Sequence, residues 1–155
     1  MSRYASSTSV SVEKTRGEIE RTLARWGATS FAYGWQGNSA QVMFEANSRR
    51  IRFTLPLPDR ASRQFTHTEA RGKLRTPTES GALWEQACRQ RWRALGLAIK
   101  AKLEAVECGI STFEEEFLSH ICLPNGDTVG RWMMPQIEHA YANGKMPPML
   151  QGPSE

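Results

Sequence analysis

Residues 40–57, AQVMFEANSRRIRFTLPL, read as two β-strands joined at Asn47 and Ser48. Apolar and polar side chains alternate on both arms, which is the period of a half-buried strand. With Asn47 and Ser48 as a two-residue hairpin loop, Ala46 faces Arg49, Glu45 faces Arg50, Phe44 faces Ile51, Met43 faces Arg52 and Val42 faces Phe53. This register places Val42, Phe44, Ile51, Phe53, Leu55 and Leu57 on one face and Gln41, Met43, Glu45, Arg50, Arg52 and Thr54 on the other. A slip of one residue would bury arginines and expose the apolar set, so the side chains themselves specify the pairing. Upstream, Phe31 and Tyr33 predict a further short strand, with Gly34, Gly37 and Asn38 supplying the turn. Downstream, Pro56 and Pro58 end the last strand, because proline cannot donate to a ladder.

An antiparallel sheet with one apolar face needs helices over that face. The longest candidate runs from Ala82 to Cys108, where Trp84, Cys88, Trp92, Leu95, Ile99, Leu103 and Val106 recur at steps of three and four. Ala87, Ala94, Ala98, Ala101 and Ala105 form a second stripe, and its small side chains predict a helix gripped from two sides, with the C-terminal helices as partners. Before the sheet, Ser11 caps a helix whose inner side is Thr15, Ile19, Leu23 and Trp26 and which stops at Gly27. After Gly109, the pattern Ser111-Thr112-Phe113-Glu114 predicts a capping box opening a helix with Phe113, Phe117, Leu118 and Ile121 inward. A last helix is expected over Thr128–Ala142 with Trp132, Met133, Ile137 and Tyr141 inward, interrupted or started at Pro135. The expected fold is therefore α+β: an N-terminal helix, a three-stranded antiparallel sheet, a long central helix and two shorter C-terminal helices.

A chain of 155 residues with 39% hydrophobic and 23% charged residues fits one domain, 1–155, able to bury a core without staples. Residues 1–10 are expected to fray, and residues 145–155 to form a proline-containing tail. Residues 59–81, DRASRQFTHTEARGKLRTPTESG, have no hydrophobic period and an excess of cations, and are expected to be a mobile basic loop. No apolar run approaches the roughly 20 residues that span a bilayer, and the N-terminus lacks the apolar segment of a signal peptide. The expected location is the cytoplasm, with no membrane partner. Three cysteines at 88, 108 and 122 form no CxxC pair, and reduced, mostly buried thiols are expected.

The spacing of His67, His120 and His139 with Cys108 and Cys122 matches no zinc pattern, so no metal or other cofactor is expected. Glu114, Glu115 and Glu116 sit in a first helical turn, where the macrodipole favours carboxylates without a metal. No GxSxG, P-loop, GxGxxG after a strand, or cysteine with an identifiable base is present, and the chain is read as a non-enzyme without catalytic residues. The pattern with chemical content is cationic. The net charge is +4 and the isoelectric point about 9.2, with arginine as the main cation, whose planar fork suits phosphate. Arg49, Arg50 and Arg52 at the hairpin, Arg60, Arg63, Arg71, Lys73 and Arg75 in the loop, and Arg89 and Arg93 on the long helix are expected to converge on one side of the sheet. They would bind nucleic acid, DNA ahead of RNA, with Tyr33, Trp35 and Met43 as stacking surface for unpaired bases. The alternative is a protein-binding module, self-associating or inhibiting a host factor, resting on the five tryptophans, the alanine stripe and the PPML tail.

Two resemblances bear on these expectations. The order of one helix, three antiparallel strands and a helix is similar to that of double-stranded RNA-binding domains. This chain departs from them in lacking a lysine-rich start to the second helix and in inserting residues 59–81 before it. Over almost its whole length, the chain also resembles a family of small uncharacterised proteins of tailed bacteriophages and prophages. The stretches that carry this likeness are SVEKTRGEIERTLARWGATSF, RRIRFTLPLPDR, EQACRQRWRALGLAIKAKLEAVECGISTFEEEFLSHICLPNGDTVGRW and PQIEHAYANGKMPPML. The resemblance implies a phage-encoded protein of the host cytoplasm working beside replication or recombination genes, and it supplies no catalytic residues.

Overall fold

The computed structural model describes residues 10–146. Helix α1 (Val12–Trp26) starts where the Ser11 hydroxyl accepts a hydrogen bond from the Lys14 N–H, and it ends at Gly27, whose φ of 106° a side chain would strain. Strands β1 (Ser30–Gln36), β2 (Ser39–Ala46) and β3 (Arg49–Pro56) form an antiparallel sheet in the order β1-β2-β3. The β2–β3 register is the predicted one, from Ala46 opposite Arg49 to Val42 opposite Phe53. Asn47 and Ser48 both take positive φ, 50° and 59°, as a two-residue turn matched to strand twist requires. Gly34 is not in the first turn. It lies within β1 opposite Gln41, and Gly37 with Asn38 makes that turn.

Helix α3 (Pro77–Glu107) begins ahead of Ala82, because the Thr76 hydroxyl caps the Glu79 N–H and Pro77 suits the first helical position. Its stripe of Trp92, Leu95, Ile99 and Leu103 is buried against Val42, Phe44, Ile51 and Phe53 of the sheet and Ile19 and Leu23 of α1, and Cys88 is buried one turn before it. Each such side chain removed from water contributes roughly 1.5–3 kcal/mol. The alanine stripe does not grip a second layer: Ala98 and Ala101 are exposed. α1 docks instead at Gly96, where a Cβ would lie 3.5 Å from the Thr15 methyl and 3.6 Å from Ile19. Methyl groups on the other side offer too little apolar area to hold another helix.

Residues 59–81, expected to be a mobile basic loop without a hydrophobic period, contain local secondary structure. Arg63–Thr66 form one helical turn, α2, His67 bridges Leu74, and residues 77–81 belong to α3. The anchor is the buried Phe65, around which the Arg75 guanidinium donates to the Gln64 and Phe65 carbonyls.

Helix α4 (Phe113–Phe117) is capped one residue later than expected, with Thr112 and Glu115 completing the box, while the Ser111 hydroxyl donates to Glu116. Phe117 is fully buried, edge-on to Phe44 and Phe53 with ring centres 5.8 and 6.1 Å away. A 3-10 turn, Leu118–His120, follows and changes the helical phase, which leaves Leu118 exposed rather than inward. Helix α5 (Val129–Asn143) runs through Pro135 and has no buried residue. Its first turn packs on the 3-10 turn so closely that a Cβ on Gly130 would meet the Ser119 carbonyl oxygen at 2.9 Å. Among the described residues, none of its side chains beyond that turn is buried. Ile137 and Tyr141, expected inward, are exposed, Tyr141 by 88%. No helix among the described residues is long and apolar enough to cross a membrane. The expected tail at 145–155 and frayed residues 1–10 lie mostly outside the described residues.

Candidate nucleic-acid interface

The structure does not gather the sequence-predicted cations on one side of the sheet. Strand alternation turns Arg50 and Arg52 onto the open face, whereas α1 and α3 cover the opposite face. Arg50 is held by Glu45 at 3.0 Å, and Arg52 donates to the Gly126 carbonyl at 2.7 Å. Arg49 pairs with Glu114 at 3.0 Å. Arg60 stacks over Trp84, 5.1 Å from its ring centre, Arg63 lies against Gly72, and Arg75 is spent on the loop's own carbonyls. Arg71 and Lys73 are exposed at the loop tip. Arg89 and Arg93 lie on the flank of α3 that faces α1.

That flank opens a different site. α1 and α3 lie side by side over the sheet, and the groove along their outer seam encloses about 330 Å³. Arg21 and Arg25, one turn apart on α1, face Arg93 and Lys100, two turns apart on α3. Among the described residues Glu18 is the one carboxylate lining it, and it accepts from Arg93 at 2.9 Å. The floor is Thr15, Ile19, Gly96 and Ile99. Four guanidinium and ammonium groups with a single counter-charge make a strip of positive potential suited to successive phosphates. Arg21 and Arg25 were missed because on their own helix they read as an ordinary solvated face. A signal was present in the i, i+4 spacing beside Glu18, but its partner strip on α3 is far away in sequence.

At the N-terminal end of α1 lies a second groove of about 450 Å³, lined by Val12, Arg16, Tyr33, Trp35, Trp84 and Trp92 among others. The Arg16 guanidinium lies 4.1 Å from the Tyr33 ring centre and 5.7 Å from that of Trp92. Trp84 is oriented by its indole N–H, which donates to the Pro58 carbonyl at 2.8 Å. Tyr33 and Trp35 remain 47% and 78% exposed. Met43, expected beside them, lies on the opposite face of the sheet with Arg50 and Arg52.

The remaining reactive groups are scattered. The three cysteines are free: Cys88 is buried, Cys122 half-buried and Cys108 exposed, the last departing from the expectation of mostly buried thiols. Burial, reinforced by Glu85, holds the Cys88 thiol above its usual pKa, so it packs as a neutral apolar group. His120 stacks on Phe53 at 3.9 Å. Burial, with Lys102 nearby, holds its pKa below the usual value against a hydrogen bond that the ring donates to the Arg52 backbone. Among the described residues no three His, Cys, Asp or Glu side chains come together as a metal site would require. Comparison with protein-family models, curated proteins and solved structures finds no match to this chain.

Proposed function

We propose that this chain is a non-catalytic nucleic-acid-binding protein, DNA before RNA, whose contact surface is the α1–α3 seam. Its resemblance to phage proteins implies an accessory role in replication or recombination. The observation that carries the reading is the lining of the seam by Arg21, Arg25, Arg93 and Lys100 against Glu18 alone. The arginines of the open face are already engaged with Glu45 and Gly126 and contribute little. Anisotropy of labelled oligonucleotides titrated over a range of salt tests it. Four phosphate contacts predict a log–log salt slope of about −3 on a single strand, and Arg21→Glu/Arg25→Glu makes it shallower by ~1.4. The Arg50→Glu/Arg52→Glu pair leaves the slope unchanged. Absence of binding at low salt, or loss only in the sheet variant, would sink the proposal.

A second reading, self-association, is favoured by α5, whose Met134, Ile137 and Tyr141 stand exposed with no buried residue in the helix. It requires a mass that rises with concentration in sedimentation equilibrium, and a strictly monomeric protein excludes it.

A further inference from the structure

We infer that the aromatic groove beside the seam seats unpaired nucleobases, so that the nucleic acid this protein takes is single-stranded where it passes the N-terminus of α1. The inference rests on the nucleic-acid reading above and names its substrate class. Its starting point is an anomaly of burial. In the β1–β2 register Tyr33 stands opposite Val42 and Trp35 opposite Ala40, which puts both on the helix-covered face of the sheet. Ala40 and Val42 are buried there, yet Trp35 is 78% exposed. Val12 of α1 and Trp84 and Cys88 of α3 line the groove with Trp35 without closing over it, and the Ala40 methyl is too small to fill the space beside the indole. What remains is an open slot with aromatic walls, of a size within the roughly 300–1,000 Å³ typical of small-ligand sites.

The charges of the slot select the ligand. Arg16 and Arg89 line it together with Glu13 and Glu85, two cations against two carboxylates, in contrast to the cationic seam. A phosphate gains little from a balanced site. A flat, neutral ring with polar edges gains on both counts: its face stacks on indole or phenol, its carbonyls accept from guanidinium and its amino groups donate to carboxylate. Several of these groups are pre-positioned, with Arg16 held on the Tyr33 and Trp92 rings and Trp84 pinned through its N–H. Arg89 and Arg93, one turn apart on α3, join slot and seam, so a strand can lay phosphates along one and turn bases into the other. Duplex bases are stacked and paired, and cannot enter.

The test compares three labelled ligands of equal length at one salt concentration: oligo-dT, an abasic strand with the same phosphates, and a duplex. Oligo-dT is expected to bind about tenfold tighter than the abasic strand and to quench tryptophan fluorescence. Trp35→Ala removes that advantage while leaving abasic binding unchanged, and Trp35→Phe restores most of it. Because Trp35 is largely exposed, the variant keeps its fold, which circular dichroism verifies. Equal binding of dT and abasic strands, duplex binding as tight as dT, or a Trp35→Ala loss equal for all ligands overturns the inference while leaving the seam reading intact. Failure of every ligand to bind overturns both.

Discussion

The two faces of the sheet carry arginines in opposite circumstances. On the open face, Arg50 lies against Glu45 directly across the ladder, and Arg52 reaches the Gly126 carbonyl of the segment that runs along the edge of β3. On the covered side, Arg21, Arg25 and Lys100 stand along the α1–α3 seam outside any ion pair among the described residues, with Arg93 alone neutralised by Glu18. Cross-strand pairing satisfies charge within the fold, whereas two helices docked side by side concentrate charge of one sign at their join. A cluster of arginines in sequence is therefore a poor guide to a cationic surface.

The largest expected effect tests what holds the seam together. Leu23 is 1% exposed beneath it, so Leu23→Ala should cost roughly 2–5 kcal/mol in urea unfolding, while Thr54→Ala on the open face stays within ~0.5 kcal/mol. Similar losses at both positions would mean that the helices are not the sheet's principal cover. A smaller pair of changes probes charge alone. Glu18→Gln removes the seam's one carboxylate and should tighten oligonucleotide binding by about three- to fivefold at low salt, whereas Glu45→Gln, which releases Arg50, should leave it unchanged. Both ion pairs are partly exposed, so neither change moves stability by more than ~1 kcal/mol. An affinity gain confined to Glu45→Gln would transfer the site to the open face.

The smallest effect is expected where the α4–α5 end meets the sheet. His120 stacks on Phe53 with its pKa depressed by burial, so the folded state favours the neutral ring and the unfolded state takes up the proton first. The stability this contributes is present above about pH 6.5 and is lost as the pH falls through the folded-state pKa. The urea midpoint should drop between pH 7 and pH 5, less so in His120→Gln, and hydrogen exchange should quicken in the 3-10 turn before the seam. An unchanged pH profile in the variant would assign the drop to other groups.

Much of this fold was legible because its signals are local. The β2–β3 register follows from alternation and one dipeptide turn, and the stripes of α1 and α3 from steps of three and four. Misreadings arose where local and distant forces compete. The alanine stripe had the right spacing but too little apolar area to hold a partner. Phe65 anchors residues 59–75 without any periodicity to announce it. Ile137 and Tyr141 follow the helical period on a helix none of whose residues is buried. The candidate site was legible only in part: Arg89 and Arg93 were identified, Arg21 and Arg25 were not, and Tyr33 and Trp35 were named for stacking but grouped with Met43 from the opposite face.

By itself the sequence determined which side of each element is apolar, because that depends on residues a few positions apart. It thereby already committed Arg50 and Arg52 to the face away from the core. Tertiary structure alone decided that α1 lies beside α3 at Gly96, an approach set by the fit of Thr15 and Ile19 against a missing side chain. That docking brings Arg21 and Arg25 to Arg93 and Lys100 across some 70 residues of chain. It also leaves Trp35, on the core side of the sheet at the end of β1, 78% exposed.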